Sequence, residues 1–160
     1  MAGVIAPVLC GQGLASPRDA AKLRDEVLAM RARMAEHKQP KGALDVKLAR
    51  GGLVDAEFII HYLQLREGRA FAPDLSVALH ELVAAGLLEG AMAADFAFLS
   101  RLLVAARLLA PDAAEPPPAA CAVLARACGC ADWDGLLVRL EQARMGIRQA
   151  WRGVFGQACG

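Results

Sequence analysis

The sequence predicts an all-α fold, a helical bundle of five to six helices. Two observations carry this expectation. The 160 residues are 56% hydrophobic but only 5% aromatic. Alanine and leucine, both strong helix formers, supply most of that apolar content, and strand-favouring residues are scarce. In addition, apolar positions recur at spacings of three and four, in stretches closed by proline, glycine or aspartate. A chain of this length can bury a core without disulfide or metal staples.

Residues 1–15 contain Gly and Pro without a period and read as a loose lead-in. Ser16-Pro17-Arg18-Asp19 reads as a helix start, with Ser16 as the cap and Pro17 at the first helical position. Ala20, Leu23, Val27, Met30 and Met34 then form one apolar stripe to about His37. The charged remainder, Lys22, Arg24, Asp25, Glu26, Arg31, Arg33 and Glu36, reads as a solvated face. Gln39-Pro40-Lys41-Gly42 ends the helix.

Leu44 to Leu48 alternates apolar and polar residues, which predicts a short extended segment over 44–48. Gly51-Gly52 marks a turn that needs backbone freedom or a close approach. Asp55 starts the next helix, which runs to Glu67 with Gly68 as its stop and buries Phe58, Ile59, Tyr62, Leu63 and Leu65.

Pro73-Asp74 opens a short helix through Ala85, stopped by Gly86. Glu89 to Leu109 is apolar around most of its circumference, apart from Asp95, Arg101 and Arg107, and is therefore expected at the centre. A proline-rich loop from Asp112 to Pro118 leads to a helix over Ala119–Ala127, closed by Cys128-Gly129. Asp132 or Asp134 starts the last helix, to about Phe155. Leu136, Leu137, Leu140, Met145, Ile147, Trp151 and Phe155 are its apolar positions, and Trp151 and Phe155 pack as an i, i+4 pair.

Several function classes are disfavoured. A net charge of +1 gives no global attraction for nucleic acid. No stretch is long and apolar enough for a membrane span, and the apolar start lacks the basic region of a signal peptide. The five cysteines, Cys10, Cys121, Cys128, Cys130 and Cys159, are odd in number and contain no Cys-x-x-Cys, which suits free thiols in a reducing cytoplasm. Cys128-Gly129-Cys130 has no further ligand nearby in sequence to complete a zinc site.

The stretch from Asp45 to Phe58 departs from generic helix pattern. Asp45, Asp55 and Glu57 supply carboxylates, Lys47 and Arg50 supply cations, and Gly51-Gly52 lies between them. The residues leave three readings open. Asp55 and Glu57 could simply complement a helix N-terminus. Gly51, Gly52, Lys47 and Arg50 could receive an anion such as a phosphate. The carboxylates could hold a divalent cation, as in a small metal-dependent enzyme. His61 and His80 read as structural histidines.

Asp45-Val46-Lys47, Gly51-Gly52 and Asp55-Ala56-Glu57-Phe58, running into Tyr62-Leu63-Gln64-Leu65-Arg66, resemble the glutamine-synthetase adenylyltransferase family. The likeness is specific over about residues 22–68 and extends to Met30-Arg31-Ala32-Arg33-Met34. Leu44 stands in place of the family's aromatic, Ala56 in place of Ile, and His61 where Gln is usual. The Asp-x-Glu-Phe form is closer to the second of the family's two units. The resemblance therefore implies the C-terminal helical domain of the adenylylating half.

It further implies a parent enzyme that transfers AMP from ATP, with magnesium, to a tyrosine of glutamine synthetase in nitrogen regulation in the cytoplasm. Residues 16–42 would be a linker helix from an upstream nucleotidyltransferase domain, and 43–160 the helical bundle. The family's Gly-Ser and Asp-x-Asp catalytic signature has no match in residues 1–44. This chain alone is therefore expected to be inactive, without catalytic or metal-binding residues or tight cofactor binding. Asp45, Lys47, Gly51, Gly52, Asp55 and Glu57 would lie adjacent to the nucleotide site. Glutamine synthetase, the PII signalling protein and the upstream domain are the implied partners. The competing expectation is an independent helical protein-protein interaction module without nucleotide chemistry.

Overall fold

A computed structural model describes residues 19–110 and 114–158. They form six α-helices and no strand: α1 (Ala20–His37), α2 (Leu53–Glu67), α3 (Leu75–Ala84), α4 (Gly90–Leu109), α5 (Pro118–Ala127) and α6 (Trp133–Phe155). The lead-in over 1–15, the Ser16-Pro17 start, Cys10 and Cys159 lie outside the described residues. Within them, α1 is capped by Asp19, whose Oδ1 accepts from the Ala21 N–H at 3.0 Å.

The punctuation read from the sequence sets most helix ends. Asp74 caps α3 by accepting from Ser76 and Val77 N–H groups. Asp132, rather than Asp134, caps α6 by accepting from the Gly135 N–H at 2.8 Å. Gly68 ends α2 in the left-handed conformation, at φ 64°. The helix α2 begins two residues before the expected Asp55, at Leu53, so Asp55 occupies its third position.

The short extended segment expected over 44–48 is not formed; these residues are a series of turns. Burial does not alternate either, since Leu44, Asp45 and Val46 are all buried. Asp45 decides the backbone path. Its carboxylate accepts from the N–H groups of Lys41, Lys47 and Leu48, at 3.0, 3.1 and 2.9 Å. An aspartate that captures donors two and three residues ahead folds the chain back on itself and removes them from any strand ladder.

The most extensive helix pairing is α4 with α6, while α2 packs against α1, α3, α4 and α6. The core includes Ile59, Ile60 and Leu63 of α2, Leu99 and Leu102 of α4, and Leu136, Ile147 and Trp151 of α6, all fully shielded. Each such Leu or Ile contributes about 1.5–3 kcal/mol by leaving water. Trp151 and Phe155 pack as expected, with centroids 4.3 Å apart, and Tyr62 of α2 meets Phe155 at 4.8 Å. On α6, Leu137 and Met145 are exposed, and Ala143 takes a core position instead. One side of α4 faces outward as well, at Val104 and Leu108.

Candidate functional site

The stretch that the sequence singled out forms a seam between α1, α2 and α6. Gly51 has φ 75°, a backbone state that favours glycine. A Cβ at this position would overlap the backbone carbonyl oxygen of Arg144 on α6. The turn therefore rests directly on the α6 main chain. Gly52 has a different constraint. Its Cα sits among carbonyl oxygens, and a Cβ would lie 2.6 Å from Val46 O, 2.7 Å from Ala49 O and 3.0 Å from Lys47 O.

The backbone donors at the start of α2 are engaged within the chain. Gly52 N–H donates to Ala49 O at 2.8 Å, Leu53 N–H to Val46 O at 2.8 Å and Val54 N–H to Lys47 O at 3.1 Å. Gly51 N–H donates to Asp55 Oδ2 at 2.6 Å. An anion cradle requires such groups to point outward unpaired, and these do not.

Asp55 is fully buried. Its other oxygen, Oδ1, accepts from Nε of Arg31 on α1 at 2.5 Å. Arg31 itself is only 4% exposed. This corrects the reading of Arg31 as part of a solvated face. The pair bolts α1 to α2, while the Gly51 contact closes the preceding turn onto the same carboxylate.

Two arginines of α6 complete the seam. Arg144 Nη2 donates to Ala43 O at 2.8 Å and to Asp45 O at 3.3 Å. Burial pulls this guanidinium below its usual value, with Glu141 acting in the opposite direction. Arg148 donates to Arg50 O at 3.3 Å and to Glu141. Neither arginine was singled out from sequence. Their partners lie about a hundred positions earlier, and no local pattern marks them.

Of the six residues expected beside a nucleotide, Asp45, Gly51, Gly52 and Asp55 are thus internal to the seam. Lys47 is exposed and Glu57 is half-buried. Burial raises the Glu57 carboxyl above its usual value, and the charges of Lys47 and His61 oppose that shift. His61 Nδ1 lies 2.9 Å from Gln64 Oε1, and Gln64 Nε2 donates to Ala70 O at 2.6 Å. Ala70 holds the positive φ of 60° that follows α2. His61 is thus tied to the end of its own helix.

This donor set does not fit a magnesium ion. The Asp45 oxygens are occupied by three backbone N–H groups, the Asp55 oxygens by Arg31 and Gly51, and Glu57 has no carboxylate partner. Among the described residues no group of three His, Cys, Asp or Glu side chains could hold a metal. No described helix is long and apolar enough to cross a membrane.

A second polar contact, also missed from sequence, fixes α4 to α6. Asp95 Oδ1 accepts from Arg139 Nη1 at 2.8 Å, and the guanidinium lies 4.8 Å from the Phe98 ring centroid. The other Asp95 oxygen sits over Gly146, where a Cβ would overlap it.

Comparison with known proteins gives a consistent picture. The family model described as GlnD PII-uridylyltransferase matches residues 20–155. A bifunctional glutamine synthetase adenylyltransferase/adenylyl-removing enzyme of Caulobacter vibrioides is 34% identical over 157 residues, covering 88% of this chain and 15% of that protein. A Rhodopseudomonas palustris protein of the same name is 30% identical over 89% of this chain and 16% of its own length. One from Chromobacterium violaceum is 46% identical over 84 residues, 49% of this chain and 9% of that protein. The chain thus spans about a sixth or less of the length of these relatives. No solved structure matches it.

Proposed function

The chain belongs to the family described as GlnD PII-uridylyltransferase, and we propose that it is a helical domain of a glutamine synthetase adenylyltransferase, serving docking rather than the transfer step. One observation carries the reading. Relatives that match nearly nine-tenths of this chain bear the name bifunctional glutamine synthetase adenylyltransferase/adenylyl-removing enzyme.

In this reading α1 is the linker from an upstream nucleotidyltransferase domain, and residues 43–160 are the C-terminal helical domain of the adenylylating half. ATP and magnesium are held by that upstream domain, whose catalytic carboxylates transfer AMP to a tyrosine of glutamine synthetase in the cytoplasm. The chain alone is inactive. The seam supports this division, because its buried carboxylates are occupied by Arg31 and by backbone donors. Lys47 is the outward-facing member of the six residues and is suited to neutralise phosphate charge held by a neighbouring domain. Glutamine synthetase, named in the relatives' descriptions, and PII, named in the family description, are the proposed docking partners.

The test uses the chain immobilised at neutral pH, with glutamine synthetase and PII offered separately. Saturable binding of either supports docking; binding of neither contradicts it. In parallel, the chain is mixed with ATP, magnesium and glutamine synthetase. AMP incorporation above background would overturn the proposed inactivity.

A further inference from the structure

Cys128-Gly129-Cys130 plays no part in the seam. It closes α5 in a Schellman turn: Cys130 N–H donates to Ala125 O at 2.9 Å, and Gly129 N–H to Arg126 O at 3.0 Å. Gly129, at φ 75°, folds the chain so that both cysteines line one open groove of about 480 Å³ between α4 and the start of α6. Cys128 is buried and Cys130 half-buried, and both are free thiols. The Cys130 sulfur turns back across the turn and lies 4.0 Å from the Cys128 carbonyl oxygen.

Arg101 of α4 reaches the same place. Its Nη1 is 3.7 Å from the position of a Cβ on Gly129. Burial raises the Cys128 thiol above its usual value and the neighbouring Cys130 adds to the rise, whereas Arg101 acts in the opposite direction. Two thiols and a guanidinium thus share one groove, and Cys130 is the less buried of the two cysteines.

We propose that Cys128 and Cys130 form a peroxide-sensitive dithiol that closes to an intrachain disulfide. The Cys130 thiolate attacks the O–O bond of hydrogen peroxide, giving a sulfenic acid and, after protonation, one water. The Cys128 thiol then attacks that sulfur and displaces the second water. Two thiols lose two protons and two electrons, and the peroxide is reduced to two waters. The turn already brings the two residues together, and residues two apart fall within the span a disulfide can bridge. The less buried Cys130 reacts first, and Arg101 favours the thiolate of Cys128, which attacks second.

The chain offers a clean readout. Cleavage after Arg126 and Arg139 releases a peptide over 127–139 that contains Cys128 and Cys130 and no other cysteine. The full chain is treated with hydrogen peroxide, blocked with an alkylating agent and digested with trypsin. The expected peptide is unalkylated and lighter by two hydrogens, and dithiothreitol restores both thiols. Arg101→Leu slows closure several-fold. In Cys130→Ser, Cys128 stays alkylatable under the same exposure. Recovery of Cys130 as a sulfinic acid beside an intact Cys128 thiol, of disulfides only between chains, or of two alkylated cysteines would each overturn the proposal. Circular dichroism of both variants verifies the fold.

Discussion

Arg31 and Asp55 meet at 2.5 Å with their side chains only 5% and 0% exposed, so the link between α1 and α2 is a buried ion pair. Removing one partner leaves the other charge buried without compensation. Arg31→Ala and Asp55→Ala should each destabilise the chain by about 3–5 kcal/mol in urea unfolding. The double variant should lose less than the sum by at least about 0.5 kcal/mol, because the two act as a unit. Additive losses would show that they do not.

Gly51 and Gly68 share nearly the same positive φ but not the same surroundings. A Cβ on Gly68 meets nothing within 4 Å, while one on Gly51 overlaps the Arg144 carbonyl. Gly68→Ala should therefore carry only the backbone term, about 1–3 kcal/mol. Gly51→Ala should cost measurably more and should speed amide exchange at Lys47 and Leu48. Equal losses would mean that the turn does not rest on α6.

Gly146 gives α4 and α6 their close approach under Asp95. In Gly146→Ala the new methyl displaces the carboxylate and breaks its bond to Arg139, costing about 1–3 kcal/mol. In an Asp95→Ala background the same substitution should cost far less, since the overlapping oxygen is gone. Thermal or urea unfolding of the four proteins measures this coupling.

Glu57 makes the fold sensitive to pH. Its folded value lies above the ordinary 4.5, with burial the largest cause. The native state then binds a proton more readily than the unfolded chain, so this group's destabilising effect is fully present above the folded value. It is relieved as pH falls through that value towards 4.5. Glu57→Gln should be more stable than the parent at pH 7, and the advantage should vanish by about pH 4. Melting temperatures across pH test this. A Gln variant less stable at pH 7 would mean that Lys47 and His61 dominate instead.

Local chemistry was legible in the sequence, and distant chemistry was not. Asp74, Gly68 and Gly86 mark helix ends because each acts on backbone groups within a turn of itself. Trp151 and Phe155 are readable for the same reason. Arg31 is not, because its partner lies 24 positions away and nothing along α1 separates it from its charged neighbours. Arg144 and its carbonyl partners are about a hundred residues apart. The false extended segment has a different cause. The apolar-polar alternation over Leu44, Asp45 and Val46 suggests a strand, but all three are buried and the Asp45 carboxylate selects the turn. The cluster was found in the sequence because it is rich in charge and glycine, but its chemistry is mostly directed inward.

The role of this domain is tested most directly by exchanging this chain for the matching segment of the Caulobacter vibrioides relative and measuring AMP transfer to glutamine synthetase. The folded chimera should transfer AMP, and Lys47→Ala within it should lower the rate without lowering the melting temperature. A chimera that folds, binds ATP and transfers no AMP would contradict that role.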